Sequence, residues 1–198
     1  MEAPIIFDLG NVLLGLEFER FVRRAVEQSK RSGKELRSRY VLGESKRRFE
    51  RGQIRENEFF DEMANWLDWP EQDLDRLAWY WNDVFDDVPG AAECIEQLTV
   101  TRPLWLMSDT NETHWRYVTD KWSFIEHFDR HFTSYTRGRL KSDTKAFEAV
   151  IEALSVPPSN VLFFDDIPEY VANARDAGLN AHVFVNWADV MTKAGETG

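Results

Sequence analysis

Apolar residues along this chain fall into two regimes. Short continuous apolar runs read as strands buried on both faces, because such strands have no polar side to show. Residues 4–8 (Pro4-Ile5-Ile6-Phe7-Asp8), 103–107, 131–135, 161–164 and 181–185 are runs of this kind, with His131–Tyr135 the weakest. Between the first and second, from about residue 17 to 85, the period is helical. Phe18, Phe21, Val22, Ala25 and Val26 share one helix face. Ile54, Phe59, Phe60, Met63, Trp66 and Leu67 form a second stripe, and Leu74, Leu77, Ala78, Trp81, Val84 and Phe85 a third. Gly33 reads as a break and Pro70 as a helix start. No strand is expected within this stretch. After residue 87 helices alternate with strands: 89–98, 111–120, 142–154 with Ser142 as N-cap, and 168–177 closed by Gly178. This alternation predicts an α/β fold, a doubly wound, Rossmann-like parallel sheet of five strands. The core domain comprises residues 1–15 and 87–198, and residues 16–86 form an inserted all-helical domain. Residues Lys193–Gly198 are expected to fray.

Composition narrows the function classes. The chain has 198 residues, enough for a sizeable core, and eight Trp and fourteen Phe supply large packing units. A net charge of −11 argues against wholesale nucleic-acid binding. The charge is unevenly spread, however: Arg20 to Arg55 contains thirteen Lys or Arg against four Glu, a local +9 in an acidic protein. No apolar run is long enough to span a membrane, and no export signal is expected at the N-terminus. Cys94 is the only cysteine, so no internal disulfide forms, which fits a cytoplasmic location. Cys94 itself reads as a small packed residue on the helix after Pro89.

The ends of the apolar runs carry the candidate chemistry. The first ends on Asp8, the second on Ser108, and the fourth on Asp165 and Asp166, while Lys141 follows the third. Open parallel sheets bind ligands beyond the carboxyl ends of their strands, so these groups should meet in one crevice. Singly, each has a plainer explanation. An Asp after a strand is often a turn residue. Ser108 alone reads as a cap for the helix near Asn111, Lys141 alone as a solvated surface lysine, and Asp165-Asp166 as an acidic helix start before Pro168.

Together they resemble the haloacid dehalogenase-like (HAD) hydrolase superfamily over nearly the whole chain. FDLGNVL (residues 7–13), LMSDTN (106–111), GRLKSD (138–143) and FFDDIPEYVANARDAG (163–178) look like its four motifs in order, and the helical insert looks like its cap. FERGQI (49–54) and WNDVF (81–85) resemble the branch that reads D-L-G-N-V at the nucleophile. The resemblance implies a phosphatase of small phosphorylated metabolites that works through an aspartyl-phosphate. Asp8 would be the nucleophile, Ser108 would hydrogen-bond a phosphoryl oxygen, and Lys141 would neutralise developing charge. Mg²⁺ would be held by Asp8 and Asp166 directly, by the Gly10 carbonyl, and by Asp165 directly or through water. Two carboxylates ~4 Å apart repel by about 4 kcal/mol at an effective dielectric of 20, so this cluster calls for a cation.

Three positions depart from the family pattern. Gly10 stands where most of its phosphatases carry a second Asp that protonates the leaving group. This bias should favour leaving groups that need little protonation, such as the anomeric oxygen of a sugar 1-phosphate. Asp109 places a second anion beside Ser108, which would weaken phosphate binding unless it is paired or turned away. Tyr170 replaces a residue that supports the outer shell of the metal. In the basic insert, Arg47, Arg48 and Arg51 are the candidates for drawing an anionic substrate over the crevice, against a plain solvated helix face or an RNA or acidic-protein docking face. Two rival functions stand beside the phosphatase. One is a 2-haloacid dehalogenase, which also uses an Asp nucleophile but needs no metal; the other is a catalytically weak binding or regulatory protein. His114, His127, His131 and His182 lack metal-ligand spacing and read as structural, with a minor pocket role open to His114. The pattern carries no signal for oligomeric state or for one particular substrate.

Overall fold

The structure, a computed structural model, describes residues 2–196. Five parallel strands form one sheet in the order β5-β4-β1-β6-β7: β1 (Ile5–Phe7), β4 (Leu104–Ser108), β5 (Arg130–Thr133), β6 (Leu162–Asp165) and β7 (Asn180–Val183). The expected α/β class and five-stranded parallel sheet are therefore present. Alternation along the central strands explains why both faces are covered. Ile5 and Phe7 pack into one apolar cluster with Leu104, Leu106, Leu162 and Phe164, and Ile6 into the other with Trp105, Met107 and Phe163. Helices α6 (Ala91–Thr99), α7 (Glu112–Lys121) and α11 (Trp187–Glu196) cover the first face; α9 (Glu148–Ala153) and α10 (Pro168–Asp176) cover the second. A short helix, α8 (Ser134–Arg137), follows β5. The chain moves from β1 to one side of the sheet, then crosses back to the other at β6, so the switch point lies at the carboxyl end of β1.

Five helices lie between β1 and α6: α1 (Phe18–Val26), α2 (Gly33–Leu36), α3 (Glu44–Glu50), α4 (Glu56–Leu67) and α5 (Leu74–Asn82). A π-helical turn, Arg37–Val41, joins α2 to α3. An aromatic nucleus of Phe21, Phe49, Phe59 and Trp81 holds them together; Phe49 stacks on Phe59 at 4.5 Å, and Trp81 lies 4.9 Å from Phe59. Contrary to expectation, two strands bracket the insert. Strand β2 (Leu14–Leu16) pairs antiparallel with β3 (Phe85–Asp87), a ribbon that joins the outgoing and returning chain. Phe85 therefore belongs to a strand, because α5 ends at Asn82.

Other corrections are local. The cap before residue 144 is Asp143, whose side chain accepts from Lys145 N–H, and not Ser142; a 3₁₀ turn (Thr144–Phe147) precedes α9. Residues 193–196, expected to fray, continue α11, while 197–198 lie outside the described residues. Among the described residues no helix is long and apolar enough to cross a membrane.

Candidate active site

The backbone around β1 explains why Asp8 sits where it does. Asp8 N–H donates to the Phe164 carbonyl at 2.9 Å, which continues the β1–β6 ladder one residue past the strand. The chain then turns sharply. Asn11 adopts φ +55°, a conformation Asn tolerates better than most residues, and Leu13 and Leu14 N–H both donate to the Leu9 carbonyl. Asn11 also ties the turn to β6. Its Nδ2 donates to Asp166 Oδ2 at 3.0 Å, and its Oδ1 accepts from Leu16 N–H. Ser108 closes β4 and Asp165 closes β6, so the ends of three adjacent strands meet.

Lys141 joins them. It is 1% exposed, and its ammonium donates to Asp8 Oδ1 at 2.6 Å, to Asp165 Oδ2 at 2.5 Å and to the Met107 carbonyl at 3.3 Å. Its backbone is pinned at both ends: Lys141 N–H donates to both Asp109 oxygens at 3.0 Å, and its carbonyl accepts from Asn173 Nδ2. Burial alone would lower the proton affinity of this amine, but Asp8, Asp165 and Asp109 outweigh it and hold the lysine charged. Asp8 is pushed up to about 8, first by burial and then by Asp165 and Asp166, although Lys141 opposes the shift. Three carboxylates thus face one ammonium. Ligand oxygens of Asp8, Asp165 and Asp166 lie within 4.8 Å of one another, a set of hard donors suited to a cation such as Mg²⁺. The hydrogen bonds sort the three. Both Asp165 oxygens are engaged, by Lys141 and by Ile167 N–H, whereas Asp8 Oδ2 and Asp166 Oδ1 accept no bond among the described residues.

A cavity of about 290 Å³ opens above these groups. Asp8, Gly10, Asn11, Ser108, Asp109, Lys141, Asp166 and Tyr170 line it from the sheet side; Phe18, Lys46, Arg47 and Glu50 line it from the insert. Asp109 does face the cavity, but it is spent on the Lys141 backbone, and burial raises its pKa. The Tyr170 ring lies 5.2 Å from the Lys141 ammonium and packs over it; burial and then Asp109 hold its hydroxyl protonated. Of the three candidate arginines only Arg47 lines the cavity. Arg51 pairs with Glu44, and Arg48 is exposed and outside the lining set, because a helical step of about 100° turns it from the face that carries Arg47. Part of the basic segment is neutralised locally, through Arg20–Asp86, Arg24–Asp83, Arg37–Glu19 and Arg39–Glu62.

Sequence reasoning missed Lys46 and Glu50. Glu50 is 5% exposed and accepts from Lys46, one turn back on α3. Burial raises its pKa, Lys46 lowers it, and Asp109 raises it again. His114 is more than a packed ring. Its Nε2 meets the Trp81 carbonyl at 2.9 Å and its Nδ1 the Asn111 amide at 3.1 Å, so it bridges α7 to α5; burial pushes it down to about 3 and keeps it neutral. The other three histidines lie outside the cavity.

Comparison with known proteins identifies the family. The family model for haloacid dehalogenase-like hydrolases matches residues 5–178. A HAD family enzyme of Bacteroides thetaiotaomicron, solved with magnesium and inorganic phosphate, superimposes with a TM-score of 0.84 at 22% identity, covering 96% of this chain and 99% of that one. An L-2-haloacid dehalogenase of Xanthobacter autotrophicus, with chloropropionic acid covalently bound, superimposes with a TM-score of 0.65 at 18% identity, over 91% and 76% of the two chains. At these identities the likeness is one of fold. Phosphatase MT3486 of Mycobacterium tuberculosis is 46% identical over 46 residues, 23% of this chain and 21% of that protein's length. The chain belongs to the haloacid dehalogenase-like hydrolase family.

Proposed function

We propose that this haloacid dehalogenase-like hydrolase is a Mg²⁺-dependent phosphatase of a small phosphorylated metabolite, with residues 16–86 as a cap over residues 1–15 and 87–198. The observation that carries this reading is the buried cluster in which Lys141 bridges Asp8 and Asp165 beside Asp166. Three carboxylates around one ammonium leave an excess of negative charge, which suits a divalent cation and a phosphoryl group together. A dehalogenase needs no cation, so it has no use for Asp166. Asp8 and Asp166, each with an oxygen free of other bonds, would hold Mg²⁺ with the Gly10 carbonyl, and Asp165 would act through water. Bound Mg²⁺ would offset the charge of the carboxylates and the phosphoryl oxygens.

Asp8 attacks phosphorus, the bond to the leaving oxygen breaks, and water later hydrolyses the aspartyl-phosphate. Lys141 holds the Asp8 carboxylate in one orientation through Oδ1 and neutralises charge as it develops. Ser108, 3% exposed at the cavity floor, offers its hydroxyl to a phosphoryl oxygen, and Arg47 gives the mouth a cationic group for an anionic substrate. Residue 10 is glycine and so supplies no carboxylate to the leaving oxygen. The turn itself thus suits leaving groups that need little protonation, such as the anomeric oxygen of a sugar 1-phosphate. The single cysteine fits a cytoplasmic enzyme.

A phosphate-ester panel with Mg²⁺ and with chelator tests the reading, with Asp8→Asn as control. Mg²⁺-dependent phosphate release that Asp8→Asn abolishes is expected. Chloride release from 2-haloacids in chelator, without phosphate release, would overturn it in favour of a dehalogenase. Within the panel, faster turnover of a sugar 6-phosphate than of a sugar 1-phosphate would overturn the preference for anomeric leaving groups.

A further inference from the structure

Cleaving an alkyl phosphate leaves an alkoxide that must gain a proton, and the cavity holds few groups able to give one. Lys141 is locked between two carboxylates. Asp109 is spent on a backbone N–H, and Asp166, bonded to Asn11 through one oxygen, has its other oxygen assigned to the cation. His114 uses both ring nitrogens and faces the insert. Tyr170 packs against Lys141, and burial and then Asp109 raise the pKa of its hydroxyl, which makes it a much weaker acid than a carboxyl group. Glu50 remains. It is 5% exposed, lines the cavity, and among the described residues its hydrogen-bond partner is the ammonium of Lys46, a long side chain that lines the same cavity.

Two features fix Glu50 in place. Gly52, two residues on, adopts φ +63° and lies so close to Tyr135 that a Cβ would meet its carbonyl oxygen at 2.3 Å. The end of α3 is thereby seated on α8, the short helix that follows β5. Phe49, beside Glu50, is held in the aromatic nucleus of the insert. The carboxylate therefore enters the cavity from a rigid support, as a proton donor must.

We propose that Glu50 is the general acid–base of this hydrolase, supplied by the insert in place of the carboxylate that Gly10 lacks. The inference rests on the phosphatase reading. As Asp8 bonds to phosphorus, the ester P–O bond breaks, and its electron pair on the leaving oxygen takes the Glu50 proton. The Glu50 carboxylate then accepts a proton from the water that attacks the aspartyl-phosphate. The P–O bond to Asp8 breaks, and phosphate departs. The sum is ester plus water to alcohol plus phosphate. A phosphate ester entering beside Lys46 competes for its ammonium, and burial then favours the protonated form of a Glu50 relieved of Lys46.

The test compares two esters of unequal leaving group, p-nitrophenyl phosphate and a simple alkyl phosphate, with Mg²⁺. The constant kcat/KM reads only through departure of the alcohol, so it isolates the acid step. For Glu50→Gln the alkyl ester should lose about 100-fold or more, within the span general acids supply, while the aryl ester loses under about 5-fold. Binding of inorganic phosphate with Mg²⁺, followed by titration calorimetry, should stay within about 3-fold, because Glu50 acts on the leaving oxygen. Equal losses on both esters would overturn the proposal. If Gln does not fold, Glu50→Asp is read the same way: the alkyl-to-aryl ratio must fall, and an unchanged ratio refutes the role. Absence of Mg²⁺-dependent release from either ester by the unmodified protein would remove the phosphatase reading and this proposal with it, an outcome distinct from a failure of Glu50 alone.

Discussion

Replacing Lys141 with Met keeps the stem and deletes the ammonium, which makes the variant a direct probe of the buried cluster. At 2.6 and 2.5 Å from Asp8 and Asp165, each contact is worth about 6 kcal/mol of gross attraction at an effective dielectric of 20. Much of that offsets the desolvation of three buried groups. The measured cost of removing one partner from such a set is about 3–5 kcal/mol, because the remaining charges stay buried without a counterion. For a domain of this size each kcal/mol lowers Tm by roughly 2–4 °C, so Lys141→Met should melt roughly 10 °C below the parent in chelator. Circular dichroism melts in chelator and in saturating Mg²⁺ provide the assay. Mg²⁺ should raise the Tm of the variant more than that of the parent, since the cation offsets the same carboxylates. A variant within about 1 kcal/mol of the parent in chelator would refute the reasoning, as would equal Mg²⁺ shifts in both.

His114 gives a pH prediction. In the unfolded chain it binds a proton below about 6.5, but in the fold it stays neutral down to about 3. The unfolded state therefore binds more protons in that window, and stability should fall by about 1.4 kcal/mol per unit as pH drops from 6.5. Urea melts against pH should show this slope, and His114→Gln should flatten it by one proton. Asp109→Asn keeps a carbonyl acceptor for Lys141 N–H and removes a negative charge from the cavity. Its KM for phosphate esters should drop severalfold with little loss of stability, and an unchanged KM would show that the charge is already neutralised. Gly52→Ala forces a Cβ onto a left-handed backbone and into the Tyr135 carbonyl, which should cost about 1–3 kcal/mol for the strain alone and lower activity as α3 shifts. Denaturant midpoints and kcat/KM on one ester check both effects.

The parts of this fold that were legible in the sequence are those written in unbroken apolar runs. Ile5-Ile6-Phe7 and Leu162-Phe163-Phe164 are buried on both faces, and nothing but a central parallel strand suits them. The ribbon was not legible. Each of its strands has three residues, too few to establish a period, and Phe85 also fits the helical stripe of α5. The convergence of Asp8, Asp165, Asp166 and Lys141 followed from strand ends, because topology alone brings those ends together. Glu50 and Lys46 escaped notice for the opposite reason. A Lys–Glu pair one turn apart in a basic stretch normally reads as a solvated helix face, and only the tertiary seating of α3 buries it. The same blindness put Arg48 and Arg51 beside Arg47, although helical geometry and the pair with Glu44 take them elsewhere.

The pairing of Leu14–Leu16 with Phe85–Asp87 has a mechanical consequence. The two legs that carry the chain away from the sheet and back are laced together, so the five helices above hang from one strut instead of two loose threads. A strut can pivot, but it resists splaying. Its first residue, Leu14, is also hydrogen-bonded to the tight bend that follows Asp8, through the Leu9 carbonyl and Asn11 N–H. Any tilt of the overhanging layer is thus levered straight into the bend that aims the reactive carboxylate, and motion above the crevice is geared to alignment below it.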